Sequence, residues 1–260
     1  MSQAPYANWV SMREALHAEW TKLRTAPGTL WLLVAVVALT AAATCPSAGC
    51  GQDPAKIILT GIELSQAIVA VLAVLAIGGE YSTGMIRTTL AAMPRRTTVL
   101  AAKAAILTGL VLAAGTIAVL ASVLAGRLIL PGHGFTAAHG YPPLSLGDGP
   151  VLRAAAGSVL YLALIALLSL GAATAVRESA VAVGVVLGLL YLFPIIAVVT
   201  DPHWRRHLEQ IGPMSAGLAI QATTGLRSLP LSPWAGLGVL AAWAATALLA
   251  GGLLLRLRDA

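Results

Sequence analysis

Charge is scarce in this sequence. Asp, Glu, Lys and Arg together make up 10% of 260 residues, where a soluble domain carries about 25%. So few charges cannot cover a water-facing surface of this size, and a soluble fold is excluded. Aromatic residues are also few, 5% in all with two Phe, so Ala, Leu, Val and Gly do the filling. Only two cysteines occur, Cys45 and Cys50, too few by themselves for a metal site. No Gly-x-x-x-x-Gly-Lys-Ser/Thr phosphate loop is present, and no polar segment is long enough to form an ATPase domain. The net charge of +6 lacks a basic stripe with interleaved aromatics, so it does not point to nucleic acid. The apolar runs offer Ser, Thr and one Glu but no His, which argues against a membrane-embedded enzyme with clustered acid-base groups.

What is abundant is apolar. Hydrophobic residues reach 58% and the mean hydropathy is +0.86, an excess that has to face lipid. Six runs approach the about 20 residues that cross a hydrocarbon core at 1.5 Å per residue. They cover residues 29–44, 57–79, 99–130, 151–176, 179–199 and 234–255. The first is short and starts near Pro27–Gly28; the third exceeds what a crossing needs, so one end should project. The fold expected is an all-α membrane protein with six transmembrane helices, a single permease-like domain over 1–260. A signal peptide is the rival reading of the first run. About 28 residues precede that run, and they include Glu14 and Glu19, which do not suit a basic leader.

Lys and Arg counted by loop set the orientation. One side would hold Arg13, Lys22, Arg24, Arg87, Arg95, Arg96, Lys103, Arg177, Arg256 and Arg258; the other would hold Lys56, Arg127, Arg153, Arg205, Arg206 and Arg227. Ten against six places both termini in the cytoplasm. The only break between the fourth and fifth runs is Arg177–Glu178, which reads as a tight turn. Residues 131–150, rich in Gly and Pro, read as irregular loop. In 201–232, a short helix over 203–211 should end at Gly212–Pro213, and a second should cover 214–224 up to Gly225, forming a helical hairpin at the outer interface.

Two cytoplasmic segments are patterned. In 9–24, Trp9, Met12, Leu16, Trp20 and Leu23 recur at steps of three or four, while Arg13, Glu14, His17, Lys22 and Arg24 fall mostly elsewhere. This suits an amphipathic helix lying in the bilayer interface; the plainer reading is a basic tail. In 80–96, after Gly78–Gly79, Met85, Ile86, Thr89, Leu90 and Met93 share one helical side, Arg87, Ala91 and Arg95 another, and Pro94 sets a stop. The plainer reading there is a solvated loop.

The stretch Glu80-Tyr81-Ser82-Thr83-Gly84-Met85-Ile86-Arg87-Thr88-Thr89-Leu90, followed by Pro94-Arg95-Arg96, resembles the first cytoplasmic loop of the ABC-2 type transporter permeases. Glu19-Trp20-Thr21-Lys22-Leu23-Arg24 looks like the end of that family's N-terminal elbow helix. The resemblance extends to span count, termini and the long loop before the last span, although the 131–150 loop is longer than the family plan needs. It implies a permease subunit of an ATP-binding cassette exporter, without its own ATPase, paired as a homodimer or heterodimer. Each half would rest on a separate nucleotide-binding subunit that supplies ATP and Mg, with no cofactor bound directly. The implied location is the bacterial inner (plasma) membrane. On this reading Glu80, Gly84, Arg87, Leu90, Met93 and Arg95 belong to a coupling helix that contacts the ATPase, and Trp9, Trp20, Lys22 and Arg24 to the elbow.

Other constellations carry less. Cys45 and Cys50, on the outer side, are permitted a disulfide. His203 and His207 are four apart, yet lack a third ligand, and Trp204, Arg205 and Arg206 beside them suggest interfacial anchoring; no metal site is expected. Glu63, the only carboxylate well inside a run, is a functional candidate by its depth; near the outer end of its helix the favoured reading is structural, either interfacial or paired with Lys56 or Arg153. Gly184 and Gly188 form a Gly-x-x-x-Gly pair, and Pro194 should kink the fifth helix. An amphipathic or hydrophobic compound suits the apolar spans as transported substrate. Rival functions are a resistance or immunity-type protein that binds a compound without moving it, and a secondary transporter, for which one Glu and no repeat are poor credentials.

Overall fold

Proline and acidic side chains open most of the helices. The computed structural model describes residues 13–14, 16–21, 27–42, 53–85, 96–133, 135 and 145–257. Its helices are α1 (Pro27–Ala42), α2 (Pro54–Leu59), α3 (Gly61–Ser82), α4 (Arg96–Ile129), α5 (Gly149–Val176), α6 (Ser179–Val199), α7 (Pro202–Ile211), α8 (Pro213–Leu218) and α9 (Pro233–Leu257). Residues 13–14 and 16–21 are also helical. No strand occurs among the described residues. Proline stands in the first turn of α1, α2, α5, α7, α8 and α9, where its missing N–H has no helical partner to lose. Asp53 caps α2 by accepting from the Ala55 amide at 3.1 Å. Glu178 caps α6 by accepting from the Ala180 and Val181 amides at 3.0 and 2.6 Å. The preceding residue, Arg177, takes a left-handed φ of 66° and closes α5 through the Ala173 carbonyl. Two residues therefore suffice for the reversal, as the sequence predicts.

Five stretches are long and apolar enough to cross a membrane: Pro54–Tyr81, Thr97–Gly132, Gly149–Val176, Ser179–Val199 and Pro233–Leu257. The first joins α2 and α3. The sixth expected span corresponds to α1, which has 16 described residues. That is about 24 Å of helix, less than the ~30 Å core, and residues 43–52 beyond it lie outside the described residues. α4, with 34 residues, is about 51 Å long and exceeds a crossing, in line with the sequence reading.

α5 is the central helix and packs most extensively on α9. The approach is close because Gly171 has no side chain; a Cβ there would collide with the backbone of Ala247 and Leu248. α1 lies between α3 and α4. Thr40 and Ser65 hydroxyls meet at 2.6 Å, and Ser122 donates to the Thr40 carbonyl at 3.0 Å, so buried polar groups fix this contact without leaving orphans. α6 and α9 stand at the periphery and expose Val181, Leu192, Ile195, Val199, Leu249 and Leu253. Apolar exposure on this scale fits a lipid surround. Gly184 and Gly188 lie on that outward side of α6 with nothing near a Cβ position. α6 runs unbroken through Pro194.

The segment after α6 departs from expectation at its end. α7 fills the expected first short helix and Gly212 ends it. The second covers only Pro213–Leu218, followed by a 3-10 turn at Ala219–Gln221, where helix to 224 was expected. The reason is capture of backbone groups by side chains. Asp53 accepts from the amide and hydroxyl of Thr223 and the amide of Thr224, and Arg153 donates to the Ala222 carbonyl at 2.5 Å. These contacts hold 222–224 out of helix, with Ala222 extended. In the 131–150 loop the described parts are a 3-10 turn at Leu130–His133, buried Phe135 and a turn at 145–148.

Candidate functional site: a lysine held by two glutamates at one end of the bundle

Lys103 lies on α4 two turns after its start. Hydropathy alone would leave such a lysine at a membrane edge, snorkelling to water. The structure buries it. Its Nζ donates to Glu19 Oε2 at 2.6 Å, to Glu80 Oε1 at 2.9 Å and to the Ala76 carbonyl at 3.1 Å. An ammonium has three N–H donors, and all three are used. The Lys103 and Glu19 side chains are 3% exposed and Glu80 7%. The cluster joins three pieces of chain: the N-terminal helical segment through Glu19, the end of α3 through Glu80 and Ala76, and the start of α4. A charge taken out of water requires this degree of pairing, because an isolated one costs several kcal/mol.

Neighbouring contacts belong to the same end. Gly78 of α3 faces Ser179 of α6, so closely that a Cβ would meet the Ser179 hydroxyl. The Arg177 guanidinium sits 5.8 Å from the Tyr81 ring centroid, a cation–π distance. A cavity of about 330 Å3 opens beside the ion cluster, lined by Glu19, Glu80 and Lys103 and by Thr29, Leu32 and Leu72 among others. The 177–178 turn, the start of α1 and the 80–85 segment thus gather at the end that holds Lys103.

Helix α3 runs on through Gly78–Gly79, a pair able to break a helix. It continues to Ser82. Thr83 then closes it through the Gly79 carbonyl, and Gly84 takes a left-handed φ of 71° that suits glycine. The glycine pair is tolerated because Ser179 fills the space at Gly78 and Glu80 anchors the last turn to Lys103.

Of the residues singled out in sequence, Glu80 is turned inward onto Lys103, and Gly84 is exposed at the turn. Met85, on the apolar side of the same segment, is 45% exposed. Arg87, Leu90, Met93 and Arg95 lie outside the described residues, as do Trp9, Lys22, Arg24, Cys45 and Cys50. Trp20 is 46% exposed while the adjacent Glu19 is buried, so the N-terminal helix directs its carboxylate to the bundle and its indole away. Lys103 and Glu19 were not picked out as a site in sequence. The available signal was a lysine and a glutamate, each at the margin of an apolar or amphipathic pattern, with no indication that they meet.

The opposite end carries Asp53, Arg153 and the 222–224 segment. Arg153 bonds there to Ala222 and is not joined to Glu63, whose backbone carbonyl accepts from the Tyr191 hydroxyl at 2.9 Å. Deeper, Gln66 accepts from Tyr161 and donates to Met214 Sδ at 3.1 Å. His203 and His207 are exposed, with rings 5.1 Å apart edge to face, and no cluster of three candidate metal ligands occurs among the described residues. Comparison with protein-family models and with curated proteins yields no match for this chain.

Proposed function

We propose that this chain is the transmembrane permease subunit of an ATP-binding cassette transporter of the ABC-2 type. It crosses the membrane six times, with α1 as the first span and both termini in the cytoplasm. It carries an amphipathic or hydrophobic compound outward, and a separate nucleotide-binding subunit hydrolyses ATP with Mg. The motif resemblance at 19–24 and 80–96 suggests the reading. The observation that carries it is the Lys103 cluster. A permease driven from outside needs its partner-facing segments fastened to its spans, so that a push on the segment moves helices. Lys103 fastens both: the N-terminal helix through Glu19 and the root of the 80–96 segment through Glu80. On this reading Leu90 and Met93 seat in a groove of the ATPase, as an amphipathic helix does in helix-in-groove recognition.

The test is a double variant, Leu90→Asp with Met93→Asp, in the tagged chain. The wild-type chain should co-purify a Walker-type ATPase subunit, and the chain alone should hydrolyse no ATP. The double variant should lose the ATPase while its melting temperature in detergent stays unchanged. Retention of the ATPase together with transport would make 80–96 an ordinary loop. ATP turnover by the chain freed of other proteins would overturn the permease assignment.

A further inference from the structure

A second cavity, of about 430 Å3, lies at the end away from Lys103, between α2–α3, α6, α7, α8 and residues 229–231. Its size falls in the range of small-molecule sites, about 300–1,000 Å3. The inner wall is apolar and includes Pro194, Ala197, Met214 and Ala219. That wall is stiffened from behind, because Met214 receives the Gln66 amide, which is itself bonded to Tyr161.

Four charged side chains ring this apolar floor: Lys56, Glu63, Arg205 and Glu209. Arg205 and Glu209 satisfy each other at 3.0 Å across one turn of α7. Lys56 and Glu63 do not follow them. They stand two turns apart on the α2–α3 wall, and neither side chain has a hydrogen bond or ion pair among the described residues. Lys56 is exposed and Glu63 half-buried. The half-buried carboxylate and the nearby ammonium feel each other's charge across the cavity without a hydrogen bond between them, an arrangement that matches a ligand bringing one charge of each sign.

The cavity mouth indicates where such a ligand comes from. Val198 lines the cavity and is 75% exposed; Ile195 and Val199 beside it are 61% and 82% exposed. These residues belong to the outward apolar face of α6, which faces hydrocarbon. One turn further the chain enters α7, where Trp204 is 63% exposed and marks headgroup depth, the level at which indoles gather. The charges therefore sit at headgroup level and the apolar rim at acyl level.

We infer that this cavity binds a zwitterionic phospholipid, its phosphate on Lys56, its ammonium on Glu63 and an acyl chain leaving over Val198. An anionic lipid would satisfy Lys56 and leave Glu63 facing more negative charge. A neutral lipid would satisfy neither. The inference rests on the membrane location of the chain and is independent of an ATPase partner.

The full chain, purified in mild detergent, would be titrated with phosphatidylethanolamine, phosphatidylcholine and phosphatidylglycerol, and occupancy read by native mass spectrometry. Either zwitterionic lipid should bind about tenfold more tightly than phosphatidylglycerol, the scale of one charge-assisted hydrogen bond. Lys56→Gln should weaken zwitterionic binding about tenfold. Glu63→Gln should abolish the preference over phosphatidylglycerol. Val198→Trp, at an exposed position that needs no repacking, should block occupancy by every lipid and so guards against a charge variant that misfolds. Equal binding of phosphatidylglycerol by the wild-type chain, or occupancy unchanged in Val198→Trp, would overturn the inference.

Discussion

Lys103 and Glu19 are 84 residues apart in the chain and 2.6 Å apart in space. No other described ion pair joins the N-terminal helix to the bundle. A pair this deeply buried fastens two segments only while both partners are present.

Removing the lysine should therefore be costly. Lys103→Met keeps the aliphatic stem and takes the ammonium away from two buried carboxylates, which should destabilise the protein by about 3–5 kcal/mol. A triple variant that also carries Glu19→Gln and Glu80→Gln removes the two buried negative charges together with the positive one and should recover most of that loss. Thermal unfolding in detergent reads both. If Lys103→Met melts with the wild type, the cluster is not a structural anchor.

Hydropathy explains why this anchor was not legible beforehand while the spans were. The run 179–199 is an uninterrupted apolar stretch bounded by Glu178 and Thr200, and α6 has those bounds. Depth in the membrane is written locally, one residue at a time. Which way Lys103 points is not, because it depends on where Glu19 and the end of α3 lie after packing. The same holds for 222–224. Local pattern continues the helix there, and Asp53, 170 residues away, stops it.

Asp53 makes that claim testable. It caps α2 and also clasps Thr223 and Thr224. Asp53→Ala should remove the cap, worth about 1 kcal/mol, and strand two loop amides besides, for a total of about 2–3 kcal/mol. Asp53→Asn keeps an accepting oxygen and should cost less. Limited proteolysis near 222–228 should accelerate in Asp53→Ala, and unchanged cleavage would show that the clasp is dispensable.

The glycines separate into two groups that the sequence alone treats alike. Gly171 meets α9 backbone, so Gly171→Val should exceed the about 1–3 kcal/mol usual for overpacking, because a backbone cannot step aside as a side chain can. Gly184→Ala and Gly188→Ala point into open space and should change monomer stability by no more than about 0.5 kcal/mol. Melting temperatures of the three variants check the contrast. An unaffected Gly171→Val would mean that α5 and α9 are not held this closely.

The contacts also divide the loops into two sets before any orientation is assumed. Glu19, Glu80, Lys103, Tyr81 and Arg177 meet at one end; Asp53, Arg153, Ala222 and Thr223 meet at the other. A chain that spans a membrane must put these ends on opposite sides, since a hydrated loop cannot rest in the hydrocarbon. Reporter fusions after residues 90 and 260 should therefore agree with each other and disagree with fusions after 140 and 215. The ten-to-six distribution of Lys and Arg adds the sign, placing 90 and 260 in the cytoplasm. A mixed result, with 90 and 260 on different sides, would mean that one of α4, α5, α6 and α9, the long helices between the two sites, does not cross. The reverse sign with the grouping intact would leave the bundle standing but put the 80–96 segment out of reach of any cytoplasmic ATPase.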